Sequence, residues 1–301
     1  MIVTVTLNAA VDRTLTVPNF QLGHRHRASA ALTLAGGKGI NVARALKTLG
    51  VPVVATGLAG GRTGTRIVEE LQSEAILNDF VRIDGESRTS TAVGDGELEI
   101  LLEKLEYLAQ GADMVVFAGS LPREVAHDFY GEATRAVNRA GVNTVLDSDG
   151  EPLRLGVEAG PYLVSPNQRE AEGLVGQELN DDEDFQLALD RIREMGARNV
   201  LITQETGCLA LLREDGDLRR FRATAPRLEP VSAVGAGDVL LAAFLAARVA
   251  GRSMEEALRA AVAAGAASTL EIGAGRFDPR QAARLQTGVQ VTELAPVASE
   301  A

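Results

Sequence analysis

Three short segments set polar or acidic residues beside glycines in patterns suited to phosphate chemistry. The first is Val234-Gly235-Ala236-Gly237-Asp238, directly before an Ala/Leu-rich stretch. Small residues let backbone N–H groups converge, and at a helix start those groups favour negative charge. A carboxylate in the same turn repels an anion. Asp238 therefore reads either as a base that takes a proton from a hydroxyl beside an incoming phosphate, or as a plain helix cap. The second is Ala35-Gly36-Gly37-Lys38-Gly39-Ile40-Asn41, whose glycine spacing fits neither a Walker A loop nor G-x-G-x-x-G. It suits close approach of a polar ligand, with Asn41 offering a donor and an acceptor, and it equally suits a tight turn with a surface lysine. The third is Ser165-Pro166-Asn167-Gln168-Arg169-Glu170, placed after an apolar strand. Asn167 and Glu170 would share one side of a helical turn, either organising a hard cation such as Mg²⁺ through water or forming an N-cap with its capping box.

These segments need elements to hold them, and the hydrophobic pattern supplies those. Strands are expected at 2–7, 53–56, 113–118, 142–147, 162–165, 199–203, 208–213 and 218–223, the last two forming a hairpin. Helices are expected at 41–49, 65–73, 124–140, 184–195, 239–250 and 254–270. Strands alternating with helices imply a mainly parallel sheet covered on both faces, where ligands gather at the carboxyl ends of strands. The stretches 14–33 and 81–93 break that rhythm and read as a small β lid. The tail after Gln286, rich in Pro, Ser, Ala and Glu, reads as weakly ordered.

Composition excludes several classes of function. The chain has 301 residues, 41 acidic against 30 basic, for a net charge of −11. Without a basic run, such a chain is repelled by nucleic acids and anionic membranes. Hydrophobic residues make up 46%, enough for a large core built on Ala, Val, Leu and Ile, since Trp is absent. The single cysteine, Cys208, cannot form an internal disulfide and reads as a buried apolar residue. The first residues read as a strand rather than a signal peptide, and no stretch reaches the roughly 18 apolar residues of a membrane span. A soluble, cytoplasmic α/β protein is the expectation. His24, His26 and His127 lack the spacing of a zinc hydrolase, and Ser120 lacks a G-x-S-x-G context.

Taken in order, Asn8-Ala9-Ala10-Val11-Asp12, GGKGINVARAL, Arg88, Gly119-Ser120-Leu121-Pro122, PNQRE and GAGD resemble the ribokinase superfamily, in its phosphofructokinase-B branch, over nearly the whole chain. The TLNAAVDRTL opening is most similar to 1-phosphofructokinases and tagatose-6-phosphate kinases. The resemblance implies one ribokinase-like three-layer sandwich, residues 1–301, with a central mainly parallel sheet and a small β lid from about 10–33 and 81–98. It implies transfer of the γ-phosphoryl of Mg-ATP to a phosphorylated ketohexose, with fructose 1-phosphate giving fructose 1,6-bisphosphate as the leading substrate. Fructose 6-phosphate, tagatose 6-phosphate, an unphosphorylated sugar or nucleoside, and a sensor that has lost catalysis are the alternatives. In this reading Asp238 is the base, and Gly235, Ala236 and Gly237 stabilise the transferring phosphoryl. Asn167 and Glu170 organise Mg²⁺. Asp12, Gly37, Lys38, Asn41 and Ser120 meet the sugar, and Arg88 faces its phosphate. Thr203, Glu205 and Gly207 lie along the nucleotide loop. Arg25 and Arg27, on a lid strand, reach the neighbouring site of a homodimer or merely face solvent. A monovalent cation near Ser232–Val234 is a further expectation.

Three departures from the family pattern stand out. Ser165 replaces a lysine before Pro-Asn. Thr203-Gln204-Glu205-Thr206-Gly207 lacks the first glycine of the usual nucleotide loop. The chain also runs abruptly from Thr89–Val93 into Gly94, where relatives carry a further lid strand.

Overall fold

Every residue of Ile2–Thr6 (β1) is buried, as a strand covered on both faces must be. The structure, a computed structural model, describes residues 1–88 and 93–296. After β1 come β2 (Ala10–Thr16), β3 (Ala30–Gly36), α1 (Lys38–Thr48), β4 (Val53–Gly60), α2 (Gly61–Ser73) and β5 (Leu77–Ile83). Next are α3 (Asp95–Ala109), β6 (Met114–Ala118), α4 (Phe129–Arg139), β7 (Asn143–Asp147), α5 (Gly150–Val157), β8 (Leu163–Val164) and α6 (Gln168–Val175). The chain continues through α7 (Asp182–Glu194), β9 (Asn199–Gln204), β10 (Gly207–Glu214), β11 (Asp217–Thr224), α8 (Ala236–Val249), α9 (Met254–Ser268), α10 (Pro279–Gln286) and β12 (Gln290–Leu294).

Ten strands form one sheet in the order β12-β11-β10-β9-β8-β7-β6-β1-β4-β5. From β5 to β9 the strands run parallel; β10, β11 and β12 continue as an antiparallel meander. Two cores lie on its two faces. One holds α1, α2, α8 and α9, with Ile40, Leu46, Leu241 and Phe244 buried. The other holds α3, α4, α5 and α7, with Leu101, Leu105, Tyr130 and Ile192 buried. Alanines at 242, 243, 261 and 264 let α8 and α9 pack closely, so a short side chain serves the core better there than a long one. No helix of the described residues is long and apolar enough to cross a membrane.

β2 and β3 form a separate two-stranded antiparallel sheet, with Val11 opposite Ala35 and Thr14 opposite Leu32. It leaves Leu15 exposed, as are Phe20 and Leu22 in the loop between its strands. Three expectations need correction, and one falls outside the described residues. Residues 81–83 belong to the edge strand β5 of the main sheet, parallel to β4, because Val81 and Ile83 point into the core. Residues 95–98 open helix α3, whose leucines at 101 and 105 are buried. Thr89–Ala92, where the family pattern breaks, lie outside the described residues. The segment after Gln286 supplies strand β12, whose backbone pairs with β11 despite its polar side chains.

Candidate active site

A cavity of about 440 Å³ opens at the carboxyl ends of the parallel strands. Asp147 at the end of β7, Ser165 just past β8 and Thr203 of β9 reach it from the sheet; Gly37, the N-cap of α1, comes with Lys38 and Asn41 of its first turn. Gly235, Gly237 and Asp238 come from the start of α8, Asn167 and Glu170 from the start of α6, and Asp12 and Arg88 from the open side.

The α8 start is held open. Gly235 has φ +81°, and a Cβ there would lie 2.9 Å from Ala274 Cα, so only glycine fits that turn. Gly237 has nothing within 4 Å of where a Cβ would sit. No side chain caps this helix, which leaves first-turn amides facing the cavity.

Asp238 is buried, 6% exposed, yet it does not cap. Its Oδ2 accepts a hydrogen bond of 2.8 Å from Asn41 Nδ2. Arg44 Nη1 donates to Asn41 Oδ1 at 3.3 Å, which turns the amide so that its N–H₂ end meets Asp238. Arg44 is itself buried and anchored by Glu74 and by the carbonyls of Ala35 and Ala274. Burial, then the nearby Asp147 charge, push the Asp238 carboxyl up to about 7, against the Asn41 hydrogen bond.

The α6 start is already filled. Asn167 Oδ1 accepts from Glu170 N at 2.9 Å, and Glu170 Oε2 accepts from Asn167 N at 2.8 Å. The capping-box reading of this pair is the observed one. Glu170 Oε1 also accepts from Lys38 Nζ at 3.0 Å, and Asp147 Oδ1 accepts from the same ammonium at 2.7 Å. Lys38 is therefore held between two carboxylates. Burial opposes its charge, but Asp147 and Glu170 outweigh that and raise its pKa. Burial also raises Asp147, against the pull of Lys38.

The structure brings together Asp12, Gly37, Lys38, Asn41, Arg88, Ser120, Asn167, Glu170, Thr203, Gly235, Gly237 and Asp238 around one cavity. Ala236 is the first residue of α8 but does not line it. Arg25 and Arg27 do not line it; they stand exposed in the loop joining β2 and β3 rather than on a strand. Glu205 is exposed in the turn after β9, away from the cavity. Gly207 is a ladder position of β10, where a Cβ would lie 2.0 Å from Ala223 O, so its glycine serves strand pairing. Cys208 is buried, as expected.

Residues to which the sequence assigned no role also line the site. Asp147 and Asp149 flank the end of β7, and the Asp-x-Asp-Gly spacing after an apolar strand was a readable signal for them. Thr6 Oγ1 and Asn8 Oδ1 are buried there with no hydrogen-bond partner among the described residues, as suits a wall awaiting hydroxyl groups. Arg88 Nη1 lies 3.8 Å from Asp12 Oδ1, and both side chains remain about half exposed. Among the described residues, no three His, Cys, Asp or Glu side chains form a ready metal cage. The donor set nonetheless suits Mg²⁺, which takes one or two carboxylates and completes its shell with water and substrate phosphates.

A model of the pfkB family carbohydrate kinases matches residues 3–281. The 1-phosphofructokinase of Borreliella burgdorferi is 33% identical over 287 residues, 90% of this chain and 92% of that protein. That of Bacillus subtilis is 33% identical over 294 residues, 92% of this chain and 96% of that one. The structure of phosphofructokinase-2 from Escherichia coli in complex with substrates and products superposes with a TM-score of 0.85 at 29% identity, covering 95% of this chain and 98% of that chain. The sandwich is thus the ribokinase-like one, and the chemistry is phosphoryl transfer to an alcohol. On its match over most of its length, the chain belongs to the pfkB family of carbohydrate kinases.

Proposed function

We propose that this kinase phosphorylates fructose 1-phosphate to fructose 1,6-bisphosphate with Mg-ATP. The observation that carries the reading is the buried, non-capping Asp238 at the open start of α8, with Arg88 across the same cavity. Relatives of matching length that bear the name 1-phosphofructokinase support the choice of sugar.

In the step, Asp238 accepts the proton of the sugar's free primary hydroxyl. That oxygen bonds to the γ-phosphorus as the bond to the bridging oxygen of ADP breaks. First-turn amides at Gly237 and Asp238 meet the charge on the transferring group, worth about 2.7–4 kcal/mol per well-placed donor. Arg88 would leave Asp12 to bind the sugar's existing phosphate, and Asp12, Asn8 and Ser120 would meet its hydroxyls. Mg²⁺ would be held by ATP phosphates and waters facing Asp147 and Glu170, and would shield phosphate charge. Asn167, spent in its capping box, orients Glu170. Lys38, between both carboxylates, positions them and supplies positive charge where Ser165 does not. Burial under the β2–β3 sheet would exclude water, the competing acceptor.

The β2–β3 sheet, with Leu15, Phe20 and Leu22 exposed, suits cover by a second copy, since a two-stranded sheet is barely stable alone. A homodimer through this sheet is therefore part of the proposal, and sedimentation analysis of the wild type against Phe20→Asp tests it. The exposed position of Glu205 removes one motive for a non-catalytic sensor.

ADP release with Mg-ATP against fructose 1-phosphate, fructose 6-phosphate, tagatose 6-phosphate, fructose and ribose tests the substrate. The highest kcat/KM is expected with fructose 1-phosphate. Turnover confined to free sugars would overturn the role of Arg88.

A further inference from the structure

A second cavity, of about 460 Å³, lies at the opposite end of the sheet. Asn143 and Asn199 stand at the starts of β7 and β9, and Tyr162 directly precedes β8. Arg193 comes from the last turn of α7, Arg198 from the link to β9, and Arg213 from the far end of antiparallel β10. No carboxylate lines the cavity, and among the described residues none of these three arginines has one within ion-pair distance. Arg193 Nε is buried with no hydrogen-bond partner among those residues.

The walls are fixed before any ligand arrives. Asn199 is 2% exposed; its Nδ2 donates to Tyr162 O at 2.7 Å, and its Oδ1 accepts from Arg213 N at 2.7 Å. Arg198 N donates to Pro161 O at 3.0 Å. Gly196, at φ +141°, packs so tightly that a Cβ would sit 2.5 Å from Val157 O. A bland reading is that Arg193 merely offsets the carboxyl ends of helices α5 and α7 that meet here. The magnitudes are unequal: each helix end carries about half a negative charge, against three full positive charges. Of the acids at these helix ends, Glu158 is already paired with Arg154, and Glu194, the last residue of α7, is exposed and does not line the cavity. In a chain of net charge −11, such a pocket is a local reversal of sign.

We propose that this cavity binds a small phosphate-bearing anion of two or more charges, held by the guanidinium groups of Arg193 and Arg198 and by the remaining N–H groups of Arg213, whose Nη1 donates to Gly216 O at 2.8 Å. It lies one strand length from the kinase site, since β7 and β9 each start here and end there: four residues from Asn143 to Asp147, roughly 13 Å of extended chain. The assignment is independent of the substrate named above.

The test is calorimetric titration of inorganic pyrophosphate into the full chain, the Arg198→Gln/Arg213→Gln double variant and Arg198→Gln alone, an exposed change that leaves the fold intact. The expected result is a binding event that weakens at least tenfold in the double variant and by less in the single one, with melting temperature and basal turnover unchanged. Fructose 1,6-bisphosphate and ATP, titrated the same way, separate the sources. Whichever shows the arginine-dependent event names the ligand, and a signal from pyrophosphate alone assigns inorganic phosphates. Identical isotherms for wild type and double variant would overturn the site. Equal arginine-dependent binding of citrate would overturn the phosphate class.

Discussion

Two helix starts face the same cavity with an acid in the first turn, and they do opposite things. At α6, Glu170 Oε2 reaches back to the Asn167 amide while Asn167 accepts from Glu170 N, so the pair closes the helix start and leaves only Glu170 Oε1 to meet Lys38. At α8, Asp238 turns away from the helix amides to Asn41, and nothing caps the turn. The first arrangement stabilises a helix by about 1 kcal/mol. The second leaves both a base and an anion site available, at the cost of a buried carboxylate. A helix N-terminus is a reaction site only where its own side chains have not closed it.

The comparison can be broken at either end. The largest effect is expected from Asp238→Asn, which removes the base but keeps the shape: kcat should fall by about 10²–10⁴, with nucleotide affinity little changed by calorimetry. Arg88→Ala comes next. Losing a charge-assisted contact of about 1.5–3 kcal/mol should raise KM for the phosphosugar by roughly 10–100-fold, while any turnover of free fructose changes little.

A pH effect on stability follows from Asp238. Its carboxyl holds a proton up to about 7 when folded, whereas an unfolded aspartate loses it near about 3.9. The folded state therefore binds more protons between those values, and stability falls as pH rises through that window. Melting temperature should drop from pH 4 to 7 more steeply for the wild type than for Asp238→Asn. The smallest effect is expected at Gly237→Ala. Better helix propensity should add about 0.5–1 kcal/mol of stability, while a methyl in the phosphate cradle lowers turnover several-fold.

Local signals were readable in the sequence; long-range pairings were not. The β10–β11 hairpin and helices α8 and α9 follow from alternation and from Ala/Leu runs. Helix α3 was hidden because it begins where the family pattern breaks, with glycines at 94 and 96 that weaken a helix start, although leucines at 98, 101, 102 and 105 mark a helical face. β12 was hidden because an edge strand needs backbone partners more than apolar side chains. Within the site, the glycines and Asp238 could be read from spacing. The Lys38–Asp147 pair spans 109 residues, and the Asn41–Asp238 bond 197, so only the folded chain reveals them. Spacing also could not tell an acid that closes its own helix start from one that turns away from it, because Glu170 and Asp238 occupy equivalent positions in their helices.

The most direct measurement carries Asp238→Asn and Asn167→Ala through the same turnover and melting assays. The account predicts that Asp238→Asn loses turnover by at least 10²-fold without losing stability. Asn167→Ala should lose about 1 kcal/mol of stability, with turnover falling by no more than roughly tenfold. A stable, inactive Asn167→Ala beside an active Asp238→Asn would contradict it.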